Sequence, residues 1–235
     1  MNKKQKTIGL LGGMSWESTA TYYRELNEGI KAQLGGLHSA KICLVSVDFE
    51  EIERLQHVGD WDGTAIILSE AAAAIEKGGA DFLLICTNTM HKVAPQIEKS
   101  ISIPILHIAD ATAKRLREDG IKKVGLLGTR FTMEEDFYKG RLTEKYGIDV
   151  IVPGEAERED VHAVIYKELC LGTIDENSRA RYLKIIDQLA ENGAEAVILG
   201  CTEIALLVQQ NHTAIPLYDT TAIHAEQAIS QALHR

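Results

Sequence analysis

The sequence has few of the residues that build special scaffolds. Its 235 residues include four cysteines with no Cys-x-x-Cys spacing, so neither a zinc site nor a disulfide framework is predicted. Acidic residues outnumber basic ones by 34 to 25, and no dense basic run occurs, which argues against a nucleic-acid partner. No uncharged apolar run reaches the roughly 18 residues of a membrane-spanning helix. We therefore expect a cytoplasmic protein with reduced thiols and no membrane partner.

What is present is an ordinary globular composition, with 45% hydrophobic and 25% charged residues. Continuous apolar runs such as Ile8–Leu11, Phe82–Cys86 and Ala196–Leu199 are typical of strands buried on both faces. More polar segments between the runs, such as 19–34 and 63–77, predict helices. This alternation predicts βαβ units and an α/β fold with parallel sheets. The other predicted elements are strands at 41–47, 104–108, 123–127, 149–152 and 215–217, and helices at 132–146, 160–171, 177–192 and 222–233.

An internal repeat divides the chain into two similar halves. Three segments recur in the same order, at offsets of 116, 114 and 112 residues. The matched segments are 8–14 with 124–130, 79–89 with 193–203, and 103–104 with 215–216. Three collinear matches predict a duplication. We expect two pseudo-symmetric α/β lobes, residues 1–115 and 116–218, with a cleft between them at the carboxyl ends of their strands.

The repeat places Thr87 opposite Cys201, and each of them directly follows an apolar strand. Polar residues come next, Asn88-Thr89 in the first lobe and Thr202-Glu203 in the second. Free backbone N–H groups at such turns can bind a carboxylate and stabilise charge as a carbanion forms. Two turns on opposite sides of one bound molecule suit a racemase, which needs a base on one face of a carbon and an acid on the other.

Four motifs carry a family resemblance. They are Leu10-Leu-Gly-Gly-Met14, Thr87-Asn-Thr-Met-His91, Leu127-Gly-Thr129 and Gly200-Cys-Thr-Glu203. Together they resemble the aspartate/glutamate racemase family, in the expected order and over nearly the whole chain. The resemblance implies two Rossmann-like lobes, a C-terminal helix at about 219–235 packed on the first lobe, an amino-acid substrate, no cofactor and a homodimer.

The first lobe departs from the family pattern. The family usually has Cys-Asn-Thr where this chain has Thr87, and a threonine hydroxyl is far less acidic than a thiol. The sequence therefore resembles an atypical branch that acts on L-aspartate or L-glutamate. The family roles imply that Cys201 removes the α-proton of the L-amino acid. Our hypothesis is that Thr87 returns a proton on the other face, directly or through water.

Further candidates lie beside these turns. We expect substrate contacts from Met14, Gln56 in a polar loop, Asn88, Thr89, Thr202 and Glu203. Arg54 and Arg130 are alternative ligands for the distal carboxylate, because arginine binds carboxylates with two hydrogen bonds. We expect structural roles for Cys43, Cys86, Cys170, His91 and His107.

Cofactor motifs are absent from the sequence. It has no Gly-x-Gly-x-x-Gly fingerprint, no P-loop and no cluster of metal ligands, so we expect neither a cofactor nor a metal. Two other functions remain open. One is a single-cysteine decarboxylase or isomerase of small dicarboxylates. The other is a non-catalytic amino-acid-binding protein left by loss of the first cysteine.

Overall fold

The computed structural model describes residues 5–233, which form two compact units. One unit comprises the chain up to Ile108 together with the chain from His224 onward, and the other comprises Ala109–Ile223. Each unit contains a parallel sheet flanked by helices, so the predicted α/β class is confirmed.

The first unit is built on a three-stranded sheet with the order β2-β1-β3. The strands are β1 Ile8–Gly12, β2 Ile42–Ser46 and β3 Phe82–Ile85. The helices are α1 Trp16–Leu34, α2 Phe49–His57, α3 Trp61–Lys77, α4 Ala94–Glu98 and, from His224 onward, the C-terminal α11 Thr220–Ala232. Strands β1 and β3 are completely buried, as their continuous apolar runs predict, whereas β2 is a partly exposed edge strand with one neighbour.

The second unit contains a four-stranded sheet with the order β5-β4-β6-β7. Its strands are β4 Lys123–Gly128, β5 Asp149–Ile151, β6 Ala196–Gly200 and β7 Leu217–Asp219. Its helices are α5 Ile108–Glu118, α6 Arg130–Glu134, α7 Asp136–Gly140, α8 Glu155–Lys167, α9 Glu176–Glu191 and α10 Ile204–Leu207. An arginine on the turn after α7 anchors α5, because Arg141 donates two hydrogen bonds to Asp110 at 2.5 and 2.8 Å.

The two sheets share strand order and also matched hydrogen bonds. In each unit the backbone N–H of an acidic residue just before β3 or β6 donates to a carbonyl at the start of the neighbouring strand, β1 or β4. The residue that follows Pro104 pairs with β3, and the residue that follows Pro216 pairs with β6. The bond from the Asp81 N–H to the Thr7 carbonyl matches the bond from Glu195 to Lys123. The bond from the Leu83 N–H to the Pro104 carbonyl matches the bond from Val197 to Pro216. The sequence repeat is therefore also a repeat of backbone structure.

Two predicted elements differ in the structure. The predicted strand 104–108 is reduced to an isolated bridge between Leu83 and Ile105, because a helix begins at Ile108 and the Leu106 carbonyl bonds to His224. The predicted helix 132–146 is broken, because the backbone is extended at Glu135. It forms α6, α7 and a π-helical turn at Arg141–Lys145.

None of the helices within residues 5–233 combines the length and the apolar character that a membrane-spanning helix requires.

Candidate functional site

In the first unit, the turn after β3 places Thr87 at the carboxyl end of a completely buried strand. The Cys86 amide donates to the Leu11 carbonyl at 2.9 Å, which holds the turn against β1. The Cys86 carbonyl accepts a 2.8 Å hydrogen bond from the Ser18 hydroxyl in the first turn of α1. Thr87 itself is half-buried. The turn is thus fixed from two sides while the Thr87 side chain keeps some access to solvent.

The residues after Thr87 form a short 3₁₀ helix, Thr89–Val93. Asn88 and Thr89 are buried, with exposed fractions of 3% and 6%. His91 is also buried, and its Nδ1 donates to the Thr87 carbonyl at 2.8 Å. The predicted binding residues of this turn are therefore buried, whereas Thr87 is half-buried.

The glycine-rich turn after β1 lies at the same edge of the sheet. Gly13 has a φ of +97°, and a Cβ there would lie 2.2 Å from the Val47 carbonyl, so only glycine fits. Its N–H donates to the Thr19 hydroxyl at 2.8 Å. Met14, a predicted substrate contact, is buried in one of the core clusters of the unit.

Gln56 lies in helix α2, so the prediction that it lies in a polar loop is wrong. Asp48 begins α2 by accepting the Glu50 N–H, and Ile52 and Gln56 are buried one turn apart on the same helix face. The signal in the sequence was the Asp48 cap followed by this i, i+4 spacing. Arg54, on the same helix, is exposed.

In the second unit, Cys201, Thr202 and Glu203 form a compact polar cluster directly after β6. The Cys201 thiol lies 2.9 Å from Glu203 Oε2, and the Thr202 hydroxyl donates to the same oxygen at 2.6 Å. Glu203 is buried, whereas Cys201 and Thr202 are half-buried. One carboxylate oxygen therefore accepts from the side chains of the two preceding residues.

The surroundings of Cys201 keep its thiol protonated at rest. Burial raises the pKa of Cys201 well above its ordinary value, and the neighbouring Glu203 carboxylate raises it further. A thiol in this state is no base until its proton has moved. Glu203 Oε2 is the acceptor placed to take that proton.

The remaining cysteines lie in core surroundings. Cys86 is completely buried, and burial raises the pKa of its thiol. Cys43 and Cys170 are half-buried and pack against the apolar clusters of their own units. Arg130, the second arginine candidate, is exposed, and its backbone N–H donates to His162 Nδ1 at 3.2 Å.

No group of three or more His, Cys, Asp or Glu side chains in the described part of the chain is arranged to hold a metal ion. The chemistry that the described groups offer is acid–base chemistry: a thiol with an adjacent carboxylate at one strand end, and a hydroxyl at the matching strand end. The sequence hypothesis had included Glu203 only as a substrate contact. The sequence spacing does not signal the thiol–carboxylate pair, because two side chains that lie two residues apart can point in different directions.

The repeated units and their strand-end turns define an α/β protein with a thiol–carboxylate pair. Comparison with known proteins gives the family. The model of the Asp/Glu/Hydantoin racemase family matches residues 11–228, so the chain belongs to this family of racemases, which are isomerases.

Relatives of known sequence or structure cover nearly the whole chain. This chain is 24% identical over 235 residues to the broad specificity amino-acid racemase RacX of Bacillus subtilis (strain 168). The match covers 96% of this chain and 98% of that protein. It is 57% identical to a candidate Asp/Glu racemase from Yersinia pestis, with a TM-score of 0.92 and coverage of 97% and 99%. An aspartate racemase homologue from Pyrococcus horikoshii OT3 is 33% identical, with a TM-score of 0.84 and the same coverage.

Proposed function

We propose that this protein is a cofactor-independent racemase that converts L-glutamate or L-aspartate to the D form. The observation that carries the proposal is the Cys201–Glu203 pair at the end of β6, in a chain of the racemase family. The repeat supplies its counterpart, Thr87, at the end of β3.

Cys201 is the base for the L-enantiomer in this scheme. Its thiol proton first passes to Glu203 Oε2, 2.9 Å away, which leaves a thiolate. The thiolate then takes the α-proton, and the C–H electron pair stays on the substrate as a carbanion. The Thr202 hydroxyl orients the Glu203 carboxylate through its 2.6 Å hydrogen bond. Glu203 later releases the proton it accepted to solvent.

Thr87 serves the opposite face of the α-carbon. Its hydroxyl passes a proton to the carbanion and regains one from water, so that one proton leaves to solvent and one enters in each turnover. A hydroxyl is far less acidic than a thiol, and the Cys201 thiol has Glu203 Oε2 as an adjacent acceptor for its proton. The two directions therefore differ in rate at saturating substrate, although the equilibrium between enantiomers is unchanged.

Substrate binding in this proposal uses the polar groups of the same turns. Asn88, Thr89 and Thr202 bind the α-carboxylate through backbone and side-chain groups, and Gln56 and Met14 contact the substrate side chain. The family resemblance also implies a homodimer, which sedimentation velocity would test.

The test is chiral analysis of a panel of L- and D-amino acids after incubation with the protein. We expect D-glutamate or D-aspartate to form from the L-enantiomer, and no product with Cys201→Ser. Thr87→Val should lower the rate of racemisation at least a hundredfold, in keeping with the usual ~10²–10⁴-fold contribution of acid–base groups. Cys43→Ser is the matched thiol control and should retain full turnover. Carbon dioxide release from a malonate-like acid, with no racemisation, would support the decarboxylase instead. Substrate binding without turnover in the parent protein would support a binding protein.

Glu203→Gln tests the thiol–carboxylate pair separately. The amide cannot accept the thiol proton, so we expect kcat to fall by about 10²–10⁴-fold. Loss of the negative charge should meanwhile lower the pKa of Cys201 and speed its alkylation by iodoacetamide. A variant that alkylates more slowly and turns over normally would contradict the assigned role of Glu203.

A further inference from the structure

His91 lies in the 3₁₀ helix that follows Thr87, and the proposed racemase mechanism gives it no role. Its side chain is 1% exposed, and both ring nitrogens have backbone partners. Nδ1 lies 2.8 Å from the Thr87 carbonyl, and Nε2 lies 3.2 Å from the Ile108 amide nitrogen.

These partners determine the protonation state of the ring. A carbonyl only accepts and an amide N–H only donates, so Nδ1 carries the proton and Nε2 is the acceptor. The ring is therefore the neutral Nδ1–H tautomer. Burial, with nearby His107 and His224, lowers the pKa of His91 well below its ordinary value, which keeps this form dominant near neutral pH.

A second buried histidine supports the same region. His224 Nε2 donates to the Leu106 carbonyl at 2.7 Å, and its Nδ1 accepts from the Tyr22 hydroxyl at 2.7 Å. The ring centroids of His91 and His224 are 6.0 Å apart. Ile108 and His224 are also the residues at which the first unit ends and resumes. His91 thus connects the Thr87 carbonyl to a chain segment that is itself held in place.

The repeat offers an internal comparison. An offset of 114 places Ala205 at the position that matches His91, so the Cys201 turn has no equivalent ring. In that turn the Cys201 carbonyl accepts from the Ile204 amide at 3.2 Å instead. The histidine support is therefore specific to the turn that carries threonine.

We propose that His91 is the positioning residue for Thr87, holding its carbonyl, and with it the hydroxyl, where a proton can reach the substrate α-carbon. A weak acid such as a hydroxyl depends on accurate placement, since an error of about 1 Å can cost roughly a hundredfold in rate. This proposal rests on the proposed function, because Thr87 has a proton to deliver only in a racemase.

Two conservative variants separate the two hydrogen bonds. His91→Asn keeps a donor near the Nδ1 position and can still bond to Thr87, but it cannot reach the Ile108 amide. His91→Gln places its acceptor near the Nε2 position for Ile108 and loses the bond to Thr87. Both variants remove one hydrogen bond and the ring, so a general structural role would affect them alike.

The measurement uses L-glutamate in heavy water, with chiral separation and mass analysis. The ratio of deuterium in recovered L-substrate to deuterium in D-product reports how often the carbanion is reprotonated from the Cys201 face. We expect His91→Gln to raise this ratio by about ten- to a hundredfold, and His91→Asn to leave it within about twofold of the parent. Equal ratios in the parent and both variants, or equal changes in the two variants, would overturn the proposal.

Nitrogen-15 NMR of the imidazoles provides a readout that needs no turnover. The His91 ring should show the Nδ1–H tautomer at pH 6, and the Thr87 carbonyl shift should move in His91→Gln but not in His91→Asn. An Nε2–H or charged ring would overturn the proposal. If the parent protein made no D-product while these signals were as expected, the proposed function would fail and the His91 hydrogen bonds would stand.

Discussion

Acid sensitivity of the first unit follows from His224. This histidine is completely buried, and burial lowers its pKa from an ordinary 6.5 to about 4. The folded protein therefore excludes a proton that the unfolded chain binds. The contribution of His224 to stability is constant above about pH 6.5, falls through the window from 6.5 to 4, and is lost below pH 4. The difference corresponds to roughly 3 kcal/mol, with a maximal slope of about 1.4 kcal/mol per pH unit.

The perturbation is His224→Gln, whose amide can still donate to the Leu106 carbonyl but does not titrate. The assay is urea unfolding between pH 4 and 7.5, followed by tryptophan fluorescence. Both tryptophans, Trp16 and Trp61, lie in the first unit, so the signal reports on the unit that contains His224.

We expect the free energy of unfolding to fall more steeply with acid in the parent than in His224→Gln, by about 3 kcal/mol across the window. His38 is exposed, and His38→Gln should follow the parent curve. Parallel curves for the parent and His224→Gln would refute the reasoning that His224 is held neutral in the folded state.

Two further predictions concern packing and charge. Gly29→Ala would place a Cβ 2.2 Å from Ile229 Cδ1, so we expect the free energy of unfolding to fall by about 1–3 kcal/mol in thermal unfolding. A second substitution, Ile229→Ala, should relieve the clash, so the two losses should not add. Additive losses would contradict the predicted clash. Asp110→Asn removes the carboxylate that accepts from Arg141 and from Lys145 Nζ at 2.8 Å. We expect it to cost about 1–2 kcal/mol at low salt and less at about 1 M salt, and an unchanged melting temperature at both would refute this.

Much of the fold follows from local sequence patterns. The continuous apolar runs predict β1, β3 and β6 because strands of a parallel sheet covered by helices are buried on both faces. The repeat predicts the common strand order because equal spacing imposes the same βαβ connections. Pattern alone did not predict the extended backbone at Glu135, nor that residues 104–108 would form only a bridge; the bridge depends on Leu83 and on the bond from His224 to Leu106, both distant in sequence.

The candidate site was less predictable than the fold. The repeat identified Thr87 and Cys201 as matching positions, and their places at strand ends are as expected. The contact between the Cys201 thiol and Glu203 needed side-chain geometry, because residues two apart can point either way. The link from His91 to Ile108 joins residues 17 apart, and no local periodicity signals such a contact.

Solvent deuterium uptake by each enantiomer tests the central claim most directly, namely that a thiol acts on the L-enantiomer and a hydroxyl on the D-enantiomer. Saturating L- and D-glutamate would be incubated separately with the parent protein in heavy water, and initial α-deuterium incorporation followed by mass spectrometry. We predict faster uptake from the L-enantiomer, and loss of uptake from that enantiomer in Cys201→Ser. Equal initial rates from both enantiomers, or uptake that survives Cys201→Ser, would contradict the account.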